Sequence, residues 1–201
     1  MRVLLVLAML APLPGGQQLA DVAAPPRMPF VDRGACPFEC CMYGDWSATA
    51  PTVVYDSLNW HLPSPQPGRV AFAVTAGEIV TAMTGVVVTT KPGVVRIGSA
   101  VTVMHRSLRF PLAPEERVSL KPGDVLYLLT YHGEGEYTAW FNGRLLDAVD
   151  TLPLQGATGW PGKGVLNEAP VAQWWVQVRN EKGQTGWTNQ PEAFGNKDAC
   201  G

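Results

Sequence analysis

The side chains in this chain that could do chemistry are few and far apart. Four thiols stand at Cys36, Cys40, Cys41 and Cys200, and three imidazoles at His61, His105 and His132. "CPFECC" together with Cys200 offers four sulfurs, which zinc could bind as thiolates, but the spacing is not the paired C-x-x-C of zinc knuckles. An even number of cysteines at the two ends of the chain points instead to disulfides. Cys40 and Cys41 are adjacent, and a ring closed between neighbours is strained, so each should pair elsewhere. One of Cys36, Cys40 and Cys41 is therefore expected to reach Cys200. The histidines lie in separate segments without the i,i+4 spacing of a zinc peptidase, and no G-x-S-x-G elbow is present. A Cys–His hydrolase would need a free thiol, which a disulfide framework removes. "GEGEY" sets Glu134 and Glu136 two residues apart, the residue types of glycoside hydrolysis, but in a stretch that reads as a solvated hairpin tip. The expectation is of no catalytic centre, no metal and no cofactor.

Aromatic side chains are then the main candidates for recognition. Tyr131, Tyr137, Trp140, Trp175 and Trp187 are rings that could stack on a peptide or a sugar. The most specific stretch is "QWWVQVRNEKGQTGWTNQ", residues 173–190. Strand alternation places Trp174, Val176 and Val178 on one face and Trp175, Gln177 and Arg179 on the other. With the first face in a core, Trp175 would stand outward beside Gln177 and Arg179 as a stacking and hydrogen-bonding platform.

The elements that must carry these residues are strands. After residue 43 the chain is a series of short apolar runs punctuated by Gly and Pro, without a helical period. Strands are expected at "TVVYDS", "RVAFAV", "EIVTAMTGVVVTT", "VVRIG", "DVLYLLTYH", "EYTAWFNG", "QWWVQVRN" and "QTGWTNQ". Pro-Gly at 92–93 and 122–123 suits tight turns, and residues 61–68 suit an exposed loop. A short turn is expected near Pro191–Phe194. "AGEIVTAMTG" and "PGDVLYLLTY" share a Gly, an acidic residue and then alternating apolar positions, which suggests two related β units. The expected division is a Cys-containing segment at 25–45, one β unit at 46–112 and a second at 113–201, with residues 151–170 as a long inserted loop.

Composition sets the compartment and limits the partners. The chain has 201 residues, 46% hydrophobic and 16% charged, so it carries enough apolar surface for a packed fold. A net charge of −2 without a basic run argues against nucleic acid. The N-terminus has Arg2, an apolar run from Val3 to Leu13, helix-breaking Pro12 and Pro14, and then small residues. This is the pattern of an export signal at 1–24, too short to span a membrane, with cleavage after Ala20 or Ala24. The mature chain is expected in the periplasm or outside the cell, without a membrane span.

The C-terminal hairpin resembles the bacterial SH3-like (SH3b-type) domain. Trp175, Val178, Gly183, Gly186 and Trp187 match its pattern of a Trp, a Val three residues later, a Gly-containing turn and Gly-Trp. "LKPGDVLYLLTY" is similar to the family's turn before its second strand. The resemblance covers residues 117–190 and, more weakly, 46–110. It implies small, strongly bent antiparallel barrels, exported and attached to the cell envelope as wall-binding or protein-binding modules. On this reading the ligand is a cell-wall peptide or glycan, or an envelope protein, met by Trp175, Gln177, Arg179, Tyr137 and Trp140. The alternative is an assembly or inhibitor protein acting through a protein interface at the 151–170 loop with Trp160 and Pro161; a wall hydrolase ranks below both.

Overall fold

The computed structural model describes residues 24–200, without Arg109, Pro111 and Thr158. The expected export signal, apart from Ala24, lies outside the described residues. The chain is almost entirely β, as expected, with curled antiparallel sheets. It begins with β1 (Phe30–Arg33), β2 (Gly44–Ala48) and β3 (Thr52–Tyr55). A short pair follows, β4 (Leu58–Asn59) and β5 (Gln66–Pro67), then β6 (Val70–Val74) and the long β7 (Ile79–Lys91). Next come β8 (Gly93–Ile97), β9 (Val101–His105), β10 (Glu116–Leu120), β11 (Val125–Gly133), β12 (Glu136–Phe141) and β13 (Arg144–Asp150). A 3-10 turn η1 (Leu152–Leu154) leads to β14 (Gly164–Glu168), and β15 (Val171–Arg179) and β16 (Thr185–Thr188) form the C-terminal hairpin. The chain closes with η2 (Pro191–Ala193) and β17 (Phe194–Gly195), placing a short turn where the sequence suggested one.

Strand pairing does not follow the boundary expected near residue 112. One sheet runs β17-β2-β7-β15-β16-β3-β6, with β1 added beside β7; the other runs β14-β8-β11-β12-β13-β9-β10. Position by position the two orders are the same plan. Each copy has an entry strand, a hairpin, a long central strand, a second hairpin, a 3-10 turn and a last short strand beside the entry strand. The second copy is continuous, from β8 to β14. The first is split, because the whole second copy lies between its central strand β7 and its hairpin β15–β16.

The turns before the two central strands show the same repeat at atomic level. Gly77 and Gly123 take φ of +90° and +92°, which a side chain would strain. The Glu78 carboxylate accepts from the Thr75 N–H at 2.7 Å, and the Asp124 carboxylate from the Lys121 N–H at 2.9 Å. Gly77 N donates to Ala48 O at 2.8 Å, and Gly123 N to Ile97 O at 2.9 Å. The shared Gly-acid pattern of the sequence is therefore one turn built twice.

Each copy has its own core. Trp46, Val54, Val74, Val80, Val176, Val178 and Phe194 pack in the first. Val95, Val103, Leu120, Leu126, Leu128, Phe141 and Leu154 pack in the second. Pro92–Gly93 is not a hairpin turn: the chain crosses there from one sheet to the other, and a Cβ on Gly93 would crowd Pro170 and Leu128. Residues 151–170 are not a long free loop either, since they hold η1 and β14, which pairs with β8. Trp160 is half-buried and packs against the second core.

The cysteines form Cys36–Cys41 and Cys40–Cys200, with Cα separations of 5.5 and 5.7 Å. The second clasps the end of the chain to the segment before β2, as expected for Cys200. No free thiol is left.

Candidate binding grooves

The sheet face expected to meet a ligand is covered. Alternation along β15 holds, with Val176 and Val178 in the first core and Trp174 packed against it. Trp175, Gln177 and Arg179 do share the other face, but Trp175 is only 1% exposed. Register puts Trp175 opposite Val86, and Trp187 opposite both Gln177 and Tyr55. Tyr55 meets Trp175 edge-on at 6.3 Å, and Trp60, from the connection between β4 and β5, meets Trp187 edge-on at 5.8 Å. The Arg33 guanidinium lies 5.1 Å over the Trp60 ring, within cation–π reach. The Trp175 indole N–H donates to the Gln173 side chain at 3.0 Å, so the ring is satisfied in place. Trp175 is thus part of a covered outer layer rather than an open platform. Arg179 is exposed and Gln177 half-buried, at the rim of that layer. Nothing in the sequence of residues 56–69 signals that this Pro-rich stretch places an aromatic ring beside Trp187.

Tyr137 and Trp140 lie on the second copy, away from Trp175. Tyr137 pairs across the sheet with Tyr131, ring centroids 4.9 Å apart, and packs against the second core. Burial raises its phenol pKa. Tyr131 keeps 39% of its surface exposed. The Trp140 indole N–H donates to Ala24 O at 3.0 Å and so holds the start of the described chain.

Two open grooves border the β9–β10 loop. The first is about 560 Å³, lined by Arg106 and Glu115 from that loop, Glu134 from the β11–β12 turn, Glu136 at the start of β12, and Asp150 and Leu152 at the end of β13 and in η1. Arg106 is engaged with Glu136 through two hydrogen bonds, the longer 3.2 Å, which raises the guanidinium pKa. Glu115, Glu134 and Asp150 are in no salt bridge among the described residues. The "GEGEY" stretch is thus a hairpin tip, as expected, and also one wall of an acidic groove. Beside it, Arg144 bonds the Glu116 carboxylate at 2.6 Å and the His105 Nε2 at 2.8 Å. Arg144 and then His105 hold the Glu116 carboxyl below its ordinary pKa.

The second groove, about 870 Å³, lies between β1 and the outer face of the second copy. Asp32, His132, Thr138 and Asp147 line it, with Leu108 and Phe110 of the β9–β10 loop. His132 Nε2 is 2.8 Å from the Thr138 hydroxyl, and burial lowers its pKa. Burial raises the Asp32 carboxyl, partly offset by Thr130 and His132.

Glu39, Cys40 and Cys200 form the one close group of three metal-type ligands among the described residues, but both sulfurs are taken by a disulfide. No helix among the described residues is long and apolar enough to cross a membrane. No family model, no curated protein and no solved structure matches the chain.

Proposed function

We propose that the chain is an exported, non-enzymatic binding module of the bacterial cell envelope, built from two SH3-like units and recognising a wall peptide or glycan. Two bent antiparallel units on one strand plan support the SH3-like reading, and two disulfides suit an oxidising compartment. The observation that carries the binding role is the first groove. Three carboxylates without a salt-bridge partner among the described residues, Glu115, Glu134 and Asp150, line it, and the Tyr131–Tyr137 ring pair stands at the neighbouring positions of the β11–β12 hairpin. Carboxylates suit the amino groups of wall peptides, and a half-exposed tyrosine suits stacking on a sugar or peptide plane.

Co-sedimentation of the mature protein with purified sacculi tests this. Binding is expected, and the combined Glu115→Gln, Glu134→Gln, Asp150→Asn variant should lose at least about tenfold in affinity with its far-ultraviolet circular dichroism unchanged. A folded protein that ignores sacculi, or a triple variant that binds as well as the parent, contradicts the reading. A second reading, an assembly or inhibitor protein, draws on Phe110 and Leu112 in the β9–β10 loop, which are 65% and 100% exposed.

A further inference from the structure

The second groove has no role in the wall-binding reading, yet it combines a free strand edge, carboxylates and exposed apolar side chains. β1 pairs with β7 along one edge, and among the described residues no strand pairs with its other edge. An unpaired edge is a row of backbone donors and acceptors open to another chain unless it is blocked by charge or cover. Residues 30–36 line the groove as one continuous stretch.

The groove is also lined by carboxylates. Asp32 and Asp147 line it, and neither is in a salt bridge among the described residues. The neighbouring His132 is held toward its neutral form by burial, and Arg33 is engaged over the Trp60 ring. A half-buried carboxylate is unfavourable in such a groove, and an incoming cation relieves it. Along the lip, Leu108, Phe110 and Leu145 are 42%, 65% and 41% exposed.

We propose that this groove docks an extended segment of a partner protein that adds as a strand to the free edge of β1, with Lys or Arg directed to Asp32 and Asp147 and apolar side chains toward Leu108, Phe110 and Leu145. Main-chain hydrogen bonds supply affinity in such strand addition, and alternate side chains supply specificity. A glycan offers neither the regular run of amide donors nor the apolar side chains, so the site calls for a polypeptide. The inference does not rest on the wall-binding role of the first groove.

The test is a titration of the ¹⁵N-labelled mature protein with two capped peptides, Thr-Val-Lys-Val-Lys-Val-Thr and its counterpart with Glu in place of Lys. The Lys peptide should shift the amides of residues 30–36, Leu108 and Asp147, and bind at least about tenfold more tightly than the Glu peptide. Asp32→Asn with Asp147→Asn should erase that preference, and N-methylation of alternate peptide amides should abolish binding. Phe110→Ser, at a position 65% exposed, should weaken binding several-fold with the far-ultraviolet circular dichroism unchanged. Equal binding of the two peptides, no binding, or shifts confined to the Glu115–Glu134 groove would each overturn the proposal. Sacculus binding should be unchanged by the two Asn substitutions, so the two grooves succeed or fail separately.

Discussion

Gly85 sits where three neighbouring groups converge. A Cβ there would overlap the Trp174 indole nitrogen and the Tyr43 hydroxyl and stand 2.9 Å from Ala35 O. Tyr43 donates to Ala35 O at 2.5 Å, and burial pushes its phenol pKa up to about 12, so the hydroxyl is a fixed donor at neutral pH. Gly85→Ala is expected to destabilise the mature protein by roughly 1–3 kcal/mol in urea titration. Trp175→Ala should cost about 3–5 kcal/mol and leave sacculus binding by the folded variant unchanged, because the ring is buried. Asp32 gives a pH-dependent expectation. Burial lifts its folded pKa above the ordinary carboxyl value, so the fold favours the protonated carboxyl. The resulting penalty is absent below the unfolded pKa, where both states carry the proton, and develops as pH rises through the folded pKa. Asp32→Asn should therefore raise stability at pH 7 and leave it unchanged at pH 3; no gain at pH 7 would contradict this. At this scale alternation placed Val176, Val178 and Trp175 on the right faces, but not the exposure of Trp175. That depends on Tyr55 and on neighbours from residues 56–69, which pattern along β15 does not contain.

At the scale of elements, the same turn precedes both central strands, and its carboxylate cap should matter equally in each. Glu78→Ala and Asp124→Ala are each expected to cost about 1 kcal/mol, read from denaturant midpoints. The Cys40–Cys200 bridge spans a sequence separation of 160 and Cys36–Cys41 one of 5. On the chain-entropy account the first restricts the unfolded state by roughly 5 kcal/mol and the second by about 2 kcal/mol. Cys40→Ser with Cys200→Ser should accordingly destabilise far more than Cys36→Ser with Cys41→Ser. Legible strands were those with unbroken apolar alternation between Gly or Pro, such as β7, β11 and β15. Others were hidden for physical reasons. β10, "ERVSL", has a single half-buried apolar residue before Leu120 and follows a Pro-containing stretch, so it reads as linker. β13 is broken by Ala148 at φ +34°, and β14 is a half-exposed edge strand whose order comes from pairing with β8.

For the whole molecule, one strand plan is used twice and the second copy is inserted into the first. Sequence contiguity hides this, since β7 and β15 are neighbours in space with the complete second copy between them in the chain. The repeat shows in the sequence only at the turns, where positive φ demands Gly and the open N–H calls for a carboxylate. Core positions are free to differ: Trp46 opposite Val80 in one copy corresponds to Val95 opposite Leu126 in the other. The acidic groove belongs wholly to the inserted copy, so the function proposed for it should survive excision. Both ends of that copy meet in the β8–β14 pairing, where Val94 lies opposite Glu168, and its core is its own. The decisive measurement is the unfolding of an isolated fragment of residues 92–170, followed by far-ultraviolet circular dichroism. A β spectrum lost in one cooperative transition is the expected result. An unfolded fragment, alongside a cooperatively folding fragment of residues 113–201, would contradict the inserted-copy account.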